Sequence, residues 1–213
     1  IYKLADLLRI NPSQILVPGV DFECLRVQRL VSATPSFVLK KFISPFHHRA
    51  VKSFLRLEYG GSPCRPSVLE VSRKIYVSRS RLGFRQRQFV EEKDLERCLA
   101  SLGWLIFHPQ EHSLEKQLLV YENASSICGL EGSAMHLLLG VSGRSLKKIA
   151  LLCENSDNDF ASQFSSQGIS FSQICCLVKD DYWPFGRNRS NVRLRTEFSV
   201  ARLVADIESD LAL

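Results

Sequence analysis

Residues 75–107 read IYVSRSRLGFRQRQFVEEKDLERCLASLGWLIF. Ile75, Tyr76 and Val77 are β-branched or aromatic, the side chains of a short strand. From Glu91 the period changes: Leu95, Cys98, Leu99 and Leu102 recur at helical spacing, acids fill the first turn, and Gly103 follows the last periodic residue. The spacing predicts a helix over 91–102 with those four residues on its inner face, because positions three and four apart share one side of an α-helix. Trp104 to Phe107 returns to strand character and stops before Pro109. A strand, a helix and a strand in this order form a βαβ unit, whose strands pair in parallel.

Working outward, the alternation continues to the end of the chain. Ser113 is expected to cap a helix with Leu114, Leu118 and Tyr121 on one face. Strands are expected at 125–128, 148–153 and 174–178, and helices at 133–139, 160–167 and 197–211, the last with Phe198, Ala201, Val204, Ile207 and Leu211 inward. Before residue 68 the pattern is less regular: helices at 2–10 and 46–59, strands at 14–17 and 26–32, then a loop through Gly60, Gly61, Ser62, Pro63 and Pro66. The expectation is an α/β chain. A domain boundary is expected in that loop, with a mostly parallel sheet over residues 69–213.

The 213 residues are 45% hydrophobic and 23% charged, enough apolar material for a packed core and against a disordered or fibrous chain. No apolar run reaches the length of about 18 to 20 residues that a membrane span needs. The first residue is Ile, so the numbering is expected to start inside a longer chain. Seven cysteines without a CxxC pair argue against a disulfide framework or a zinc ribbon and for a reducing compartment, with the cytoplasm as the default. The net charge is +6, and residues 73–87 match it alone, with Arg73, Lys74, Arg79, Arg81, Arg85 and Arg87 and no acid. Arg187, Arg189, Arg193 and Arg195 form a second cluster. Such placement favours an anionic ligand: a nucleotide, a nucleic acid or an acidic polymer.

In open parallel sheets ligands bind beyond the carboxyl ends of the strands, which selects three loops. After the first strand come Arg79, Arg81, Arg85 and Arg87, whose guanidinium forks suit phosphate oxygens but also suit a solvated basic face. After the second comes HPQEHSLEKQ, residues 108–117, where Glu111 is either a base for a hydroxyl or a solvated loop acid. After the third comes Gly129-Leu130-Glu131-Gly132-Ser133-Ala134, a turn whose N–H groups would approach an anion or simply close a βα connection. His136, one turn further, is open between ligand contact and core histidine. Walker A, nucleophile-elbow, HExxH and EF-hand patterns do not occur.

Three stretches in this order, IYVSRSRLGFRQRQFVEEKDL, GWLIFHPQEHSLEKQLLVYENA and SICGLEGSAMHLLLG, resemble glycosyltransferase family 61. That group contains bacterial capsular-polysaccharide enzymes and eukaryotic xylosyl- and N-acetylglucosaminyltransferases. The likeness is carried by a strand ending in Ser-Arg, by P-x-E-x-S-x-x-x-Q and by G-x-x-G-S-A-x-H, and it covers about residues 70–145. It implies inverting transfer of a sugar from a nucleotide-sugar to a glycan or polysaccharide hydroxyl on a GT-B-like α/β scaffold, in which residues 69–213 are the C-terminal Rossmann-like parallel-sheet domain that binds the donor and residues 1–68 are the end of the preceding, acceptor-side α/β domain with its linker. By matching position, Arg79 and one of Arg85 or Arg87 lie near the donor phosphates, Gln117 is the helix glutamine, and Gly132 and Ser133 are the small residues of the turn. The chain departs from the family pattern at Glu131, where many members have His, and at Leu137, where they have Asn.

The mechanism so implied is direct displacement at the anomeric carbon. Glu131 or Glu111 would deprotonate the acceptor. Arg79, Arg85 or Arg87, with the turn from Gly132 to Ala134 and with Gln117, Ser133 and His136 nearby, would bind the donor and stabilise the departing nucleoside diphosphate. No metal or other cofactor is expected, and no nucleic acid. The rival readings are a non-catalytic α/β module that binds nucleic acid or another anion through the arginine loop, and an inactive transferase half.

Overall fold

The structure is a computed structural model and describes residues 11, 37–38, 42–43, 49, 51, 74–83, 88–141, 146, 148–154, 160–165, 167–179 and 193–212. The chain divides into two compact units, Ile1–Pro35 and Ser36–Leu213, and every element named below belongs to the second. Apart from the helical residues Arg49 and Val51, the elements expected before residue 68, and the boundary expected there, lie outside the described residues.

Strands β1 (Phe37–Val38) and β2 (Phe42–Ile43) form a short antiparallel pair. The βαβ unit follows as β3 (Lys74–Val77), α1 (Glu92–Ser101) and β5 (Leu105–Phe107), with the two-residue strand β4 (Gln88–Phe89) just before the helix. Then come α2 (Leu114–Glu122), β6 (Ser126–Leu130), α3 (Ser133–His136) and β7 (Lys148–Cys153). The chain closes with α4 (Phe160–Ser165), β8 (Ser170–Cys175), β9 (Leu177–Lys179), β10 (Arg193–Thr196) and α5 (Val200–Leu211).

Five strands form one parallel sheet in the order β5-β3-β6-β7-β8, the doubly wound arrangement. Period-2 alternation divides its side chains between two cores. Ile75, Val77, Ile127, Ile149 and Leu151 pack with Val120, Tyr121, Met135 and Phe164 on one face. Tyr76, Cys128, Leu130, Ala150 and Leu152 pack with Leu95, Leu99, Leu203, Ile207 and Leu211 on the other. Hence α1 and α5 cover one face, and α2, α3 and α4 cover the other. Central strands buried on both faces explain the near-continuous apolar runs of β6 and β7. Among the described residues no helix is long and apolar enough to cross a membrane.

Several expectations are corrected here. Cys98 is exposed and Leu102 is 52% exposed; the inner face of α1 is Glu92, Leu95 and Leu99. Gly103 takes the left-handed conformation expected of a helix stop, at φ 83°. Strand β6 runs two residues further than expected, through Gly129 and Leu130, and α3 passes into a 3₁₀ turn at Leu137–Gly140. The segment 174–178 is two strands in two sheets, parted at Cys176. The last helix starts at Val200, capped by the Ser199 hydroxyl, and buries Leu203 instead of Ala201. A further small sheet, β4-β10-β9, was not expected at all.

Candidate functional site

The sheet order places the topological switch between β3 and β6. From β3 the chain moves outward through α1 to β5, then crosses the other face through α2 to β6 on the opposite side of β3. The chain leaves the carboxyl end of β3 for α1 on one face and the carboxyl end of β6 for α3 on the other, and in open parallel sheets the crevice between two such strand ends is where ligands bind.

Arg79 lies at that crevice. Ser78 prolongs β3 by donating its N–H to the Phe107 carbonyl at 2.8 Å, and the next turn is closed by Leu82 N–H to the Arg79 carbonyl at 2.9 Å. The half-buried Arg79 side chain crosses to β6, where Nη1 donates to the Glu131 carbonyl at 3.2 Å. A Cβ built on Gly132 would stand 2.5 Å from the same Nη1. Gly132 has extended backbone at φ 166°, so space for the guanidinium, not conformation, accounts for a glycine here. Gly129 is also small for a steric reason: a Cβ there would meet Val77 Cβ and its carbonyl oxygen, both at 3.0 Å.

The turn is held from beneath by acids of α1. Glu92 is 1% exposed, and its Oε1 accepts from the Arg79 backbone N–H at 2.8 Å and from the Tyr76 hydroxyl at 3.2 Å. Burial pushes its carboxyl up to about 7; the Arg79 N–H bond, the Tyr76 hydroxyl and the Arg79 charge pull it down, and the neighbouring Glu96 charge pushes it up. One helical turn on, Glu96 accepts from the Ser78 hydroxyl, which itself accepts from Ser80 N–H at 3.0 Å. The Tyr76 phenol is raised well above its ordinary range, first by burial and then by the Glu92 charge.

The β5 loop is arranged differently. His108 is buried, its Nδ1 has no hydrogen-bond partner among the described residues, and its pKa is lowered by burial and then by the Arg81 charge, against opposing pulls from Glu96 and Glu111. Glu111 ends a 3₁₀ turn and pairs with Arg81 at 2.7 Å, both side chains being largely in solvent at 42% and 58% exposure. Gln117 donates to the Pro109 carbonyl at 2.8 Å and to the His112 carbonyl at 3.1 Å, so the helix glutamine clips its own loop. Ser113 caps α2 by accepting from Lys116 N–H at 3.3 Å.

Of the residues singled out from the sequence, Arg79, Glu131 and Gly132 meet at one point. Ser133, exposed, and Ala134, half-buried, start α3 beside it. His136 turns to α4: its ring stacks on Phe160 at 4.5 Å between centroids and its Nδ1 lies 2.8 Å from Gln163 Oε1. Arg85 and Arg87 lie outside the described residues. Glu92, Glu96, Ser78 and His108 were not singled out. The signal for Glu92 was available: it precedes Leu95 by three and Leu99 by seven, the spacing of the buried face of α1. Among the described residues no cluster of three or more His, Cys, Asp or Glu is placed to hold a metal ion.

Residues 5–140, which contain Arg79, Glu92, Glu111, Gln117, Glu131, Gly132 and His136, match the family model described as glycosyltransferase 61. Among curated proteins none matches the chain.

Proposed function

Since the chain belongs to glycosyltransferase family 61, we propose that the β3–β6 crevice binds the diphosphate of a nucleotide-sugar and that the sugar is transferred with inversion. The chain is a glycosyltransferase, and its substrates are a sugar donor and an acceptor. The observation that carries the finer reading is the Arg79 side chain at the switch point, half-buried, against the Glu131 carbonyl and the open flank of Gly132. A guanidinium in that setting is partly shielded from water and offers a planar donor fork to phosphate oxygens.

In this mechanism an acceptor hydroxyl attacks the anomeric carbon from the side opposite the nucleotide. The carboxylate of Glu131, the residue whose backbone carbonyl Arg79 bonds, takes the hydroxyl proton. The bond to the diphosphate breaks, and Arg79, with the start of α3 at Gly132 to Ala134, stabilises the negative charge that collects on the leaving group. Glu111 is the alternative base; its ion pair with Arg81 favours a role in tying the two loops together. Gln117 acts by holding the 109–112 loop, and His136 by joining α3 to α4. Arg85 or Arg87 supplies a second cation, and no metal or other cofactor is used. We assign residues 69–213 to the donor half of a GT-B-like enzyme and 1–68 to the acceptor side, with a glycan or polysaccharide hydroxyl as acceptor and the cytoplasm as compartment.

Thermal unfolding against a panel of UDP-, GDP- and CMP-sugars tests the donor. A ligand at 100 times its Kd stabilises a protein by about 2.7 kcal/mol, so a true donor raises Tm visibly. Arg79→Ala should abolish that rise without lowering the ligand-free Tm. A panel without any response, or an equal response in the variant, contradicts the assignment.

A further inference from the structure

Glu92 is a carboxylate placed where an apolar residue would serve α1 better. It shares the inner face of the helix with Leu95 and Leu99 and is as buried as they are, and taking a carboxylate out of water is costly unless hydrogen bonds compensate it. Among the described residues its compensating donors are the Tyr76 hydroxyl and the backbone N–H of Arg79, both on Oε1. The second of these belongs to the residue whose guanidinium reaches the Glu131 carbonyl. Four residues along the same face, Glu96 takes the hydroxyl of Ser78. The strand end is thus anchored at successive residues, and the anchor on Arg79 is a buried carboxylate with limited freedom to move.

We propose that Glu92 is a positioning residue of the donor site, fixing the backbone of Arg79 so that its guanidinium meets the donor diphosphate beside Gly132. The inference rests on the donor-site reading above. It adds that affinity for the diphosphate depends on a side chain that need not touch it. The groups that face Glu92 are Tyr76 from β3, Arg79 from the turn and Glu96 from its own helix.

The test compares wild type, Arg79→Ala, Glu92→Met and Glu92→Gln by calorimetric titration with UDP, GDP and CDP, each separately, and by thermal unfolding without ligand. Glu92→Met keeps the volume and removes both the acceptor and the buried charge. The removed charge offsets the cost of leaving the Arg79 N–H and the Tyr76 hydroxyl without that acceptor, so Tm should stay near the wild-type value while affinity falls on the order of tenfold. Glu92→Gln keeps a carbonyl for the Arg79 N–H and should stay within about threefold of wild type. A residue that only stabilises the fold would not lose affinity while keeping Tm. Glu92→Met that folds and binds within about twofold of wild type overturns the proposal. Should Glu92→Met not fold, the wild-type chain decides by NMR. The Arg79 backbone amide shift should titrate with Glu92, and that titration should move up by about half a pH unit or more when the bound diphosphate brings its charge near. No movement overturns the proposal. Wild type binding none of the three diphosphates, or Arg79→Ala binding as wild type does, overturns the donor-site reading and the inference with it.

Discussion

Two arginines leave the same strand end two residues apart and meet different fates. Arg79 is half-buried, its backbone held by a buried carboxylate and its guanidinium laid across to the next strand. Arg81 is exposed and pairs with an exposed glutamate at 2.7 Å. By distance alone the second contact is the stronger. Solvent reverses that order: an exposed ion pair is screened and contributes about 0 to 1 kcal/mol, whereas a hydrogen bond to a buried charged group is worth about 1.5 to 3 kcal/mol, and losing a partner leaves the charge stranded. The comparison teaches that the number of arginines in this loop matters less than which of them is carried by β3 and α1.

The contrast can be broken or sharpened in order of expected effect. Arg79→Ala should lower turnover by about 10²- to 10³-fold, the usual loss when one group stabilising a leaving or developing anion is removed. Steady-state kinetics with the donor found by the panel checks it, and a loss below tenfold would place the diphosphate elsewhere. Next comes pH. The Glu92 carboxyl is near 7 in the folded chain against an ordinary 4.5, so in the window between these values the folded state holds a proton that the unfolded state has released. Stability from this group is therefore full below about pH 4.5 and falls as pH rises to about 7, by about 3 kcal/mol. Glu92→Gln should remove that slope, measured as the difference between the two proteins in urea unfolding at several pH values. Subtraction also cancels His108, whose lowered pKa acts in the opposite direction, costing stability as pH falls.

Gly132→Ala should come next, because its Cβ would displace Nη1 of Arg79 while the backbone at φ 166° accepts any residue. The expected result is a loss of donor affinity of about tenfold with little change in Tm, read by calorimetry. The smallest effect belongs to the exposed pair. Arg81→Ala and Glu111→Gln should each change stability by less than about 1 kcal/mol in denaturant unfolding. A larger loss would mean that the two loops are coupled more tightly than an ion pair in water allows.

The parallel sheet was legible because its strands are local and apolar: Ile75 to Val77 and Lys148 to Cys153 announce themselves by composition, and α1 by its period. What was not legible depends on partners far along the chain. Gln88 and Phe89 form a strand only because Arg193 and Leu194 pair with them, and nothing in RQRQFV marks two of its residues as a strand. Cys176 divides β8 from β9 within one apolar run, since the two halves serve different sheets. In the site, Arg79, Glu131 and Gly132 could be placed by the rule that ligands bind at strand ends. Glu92 was hidden by a competing explanation, the preference for acids in the first turn of a helix, although its register with Leu95 and Leu99 put it on the inner face. Gln117 was placed on its helix but not among its partners, because a side chain that bonds the preceding loop leaves no periodic trace.

The central claim is that the crevice between β3 and β6 holds the donor diphosphate through Arg79. The most direct measurement is a crystal structure of the chain with whichever of UDP, GDP or CDP binds it. The account predicts a diphosphate oxygen about 2.7 to 2.9 Å from the Arg79 guanidinium, with the diphosphate beside Gly132. A diphosphate bound away from the ends of β3 and β6, or seated there with Arg79 turned from it, would contradict the claim.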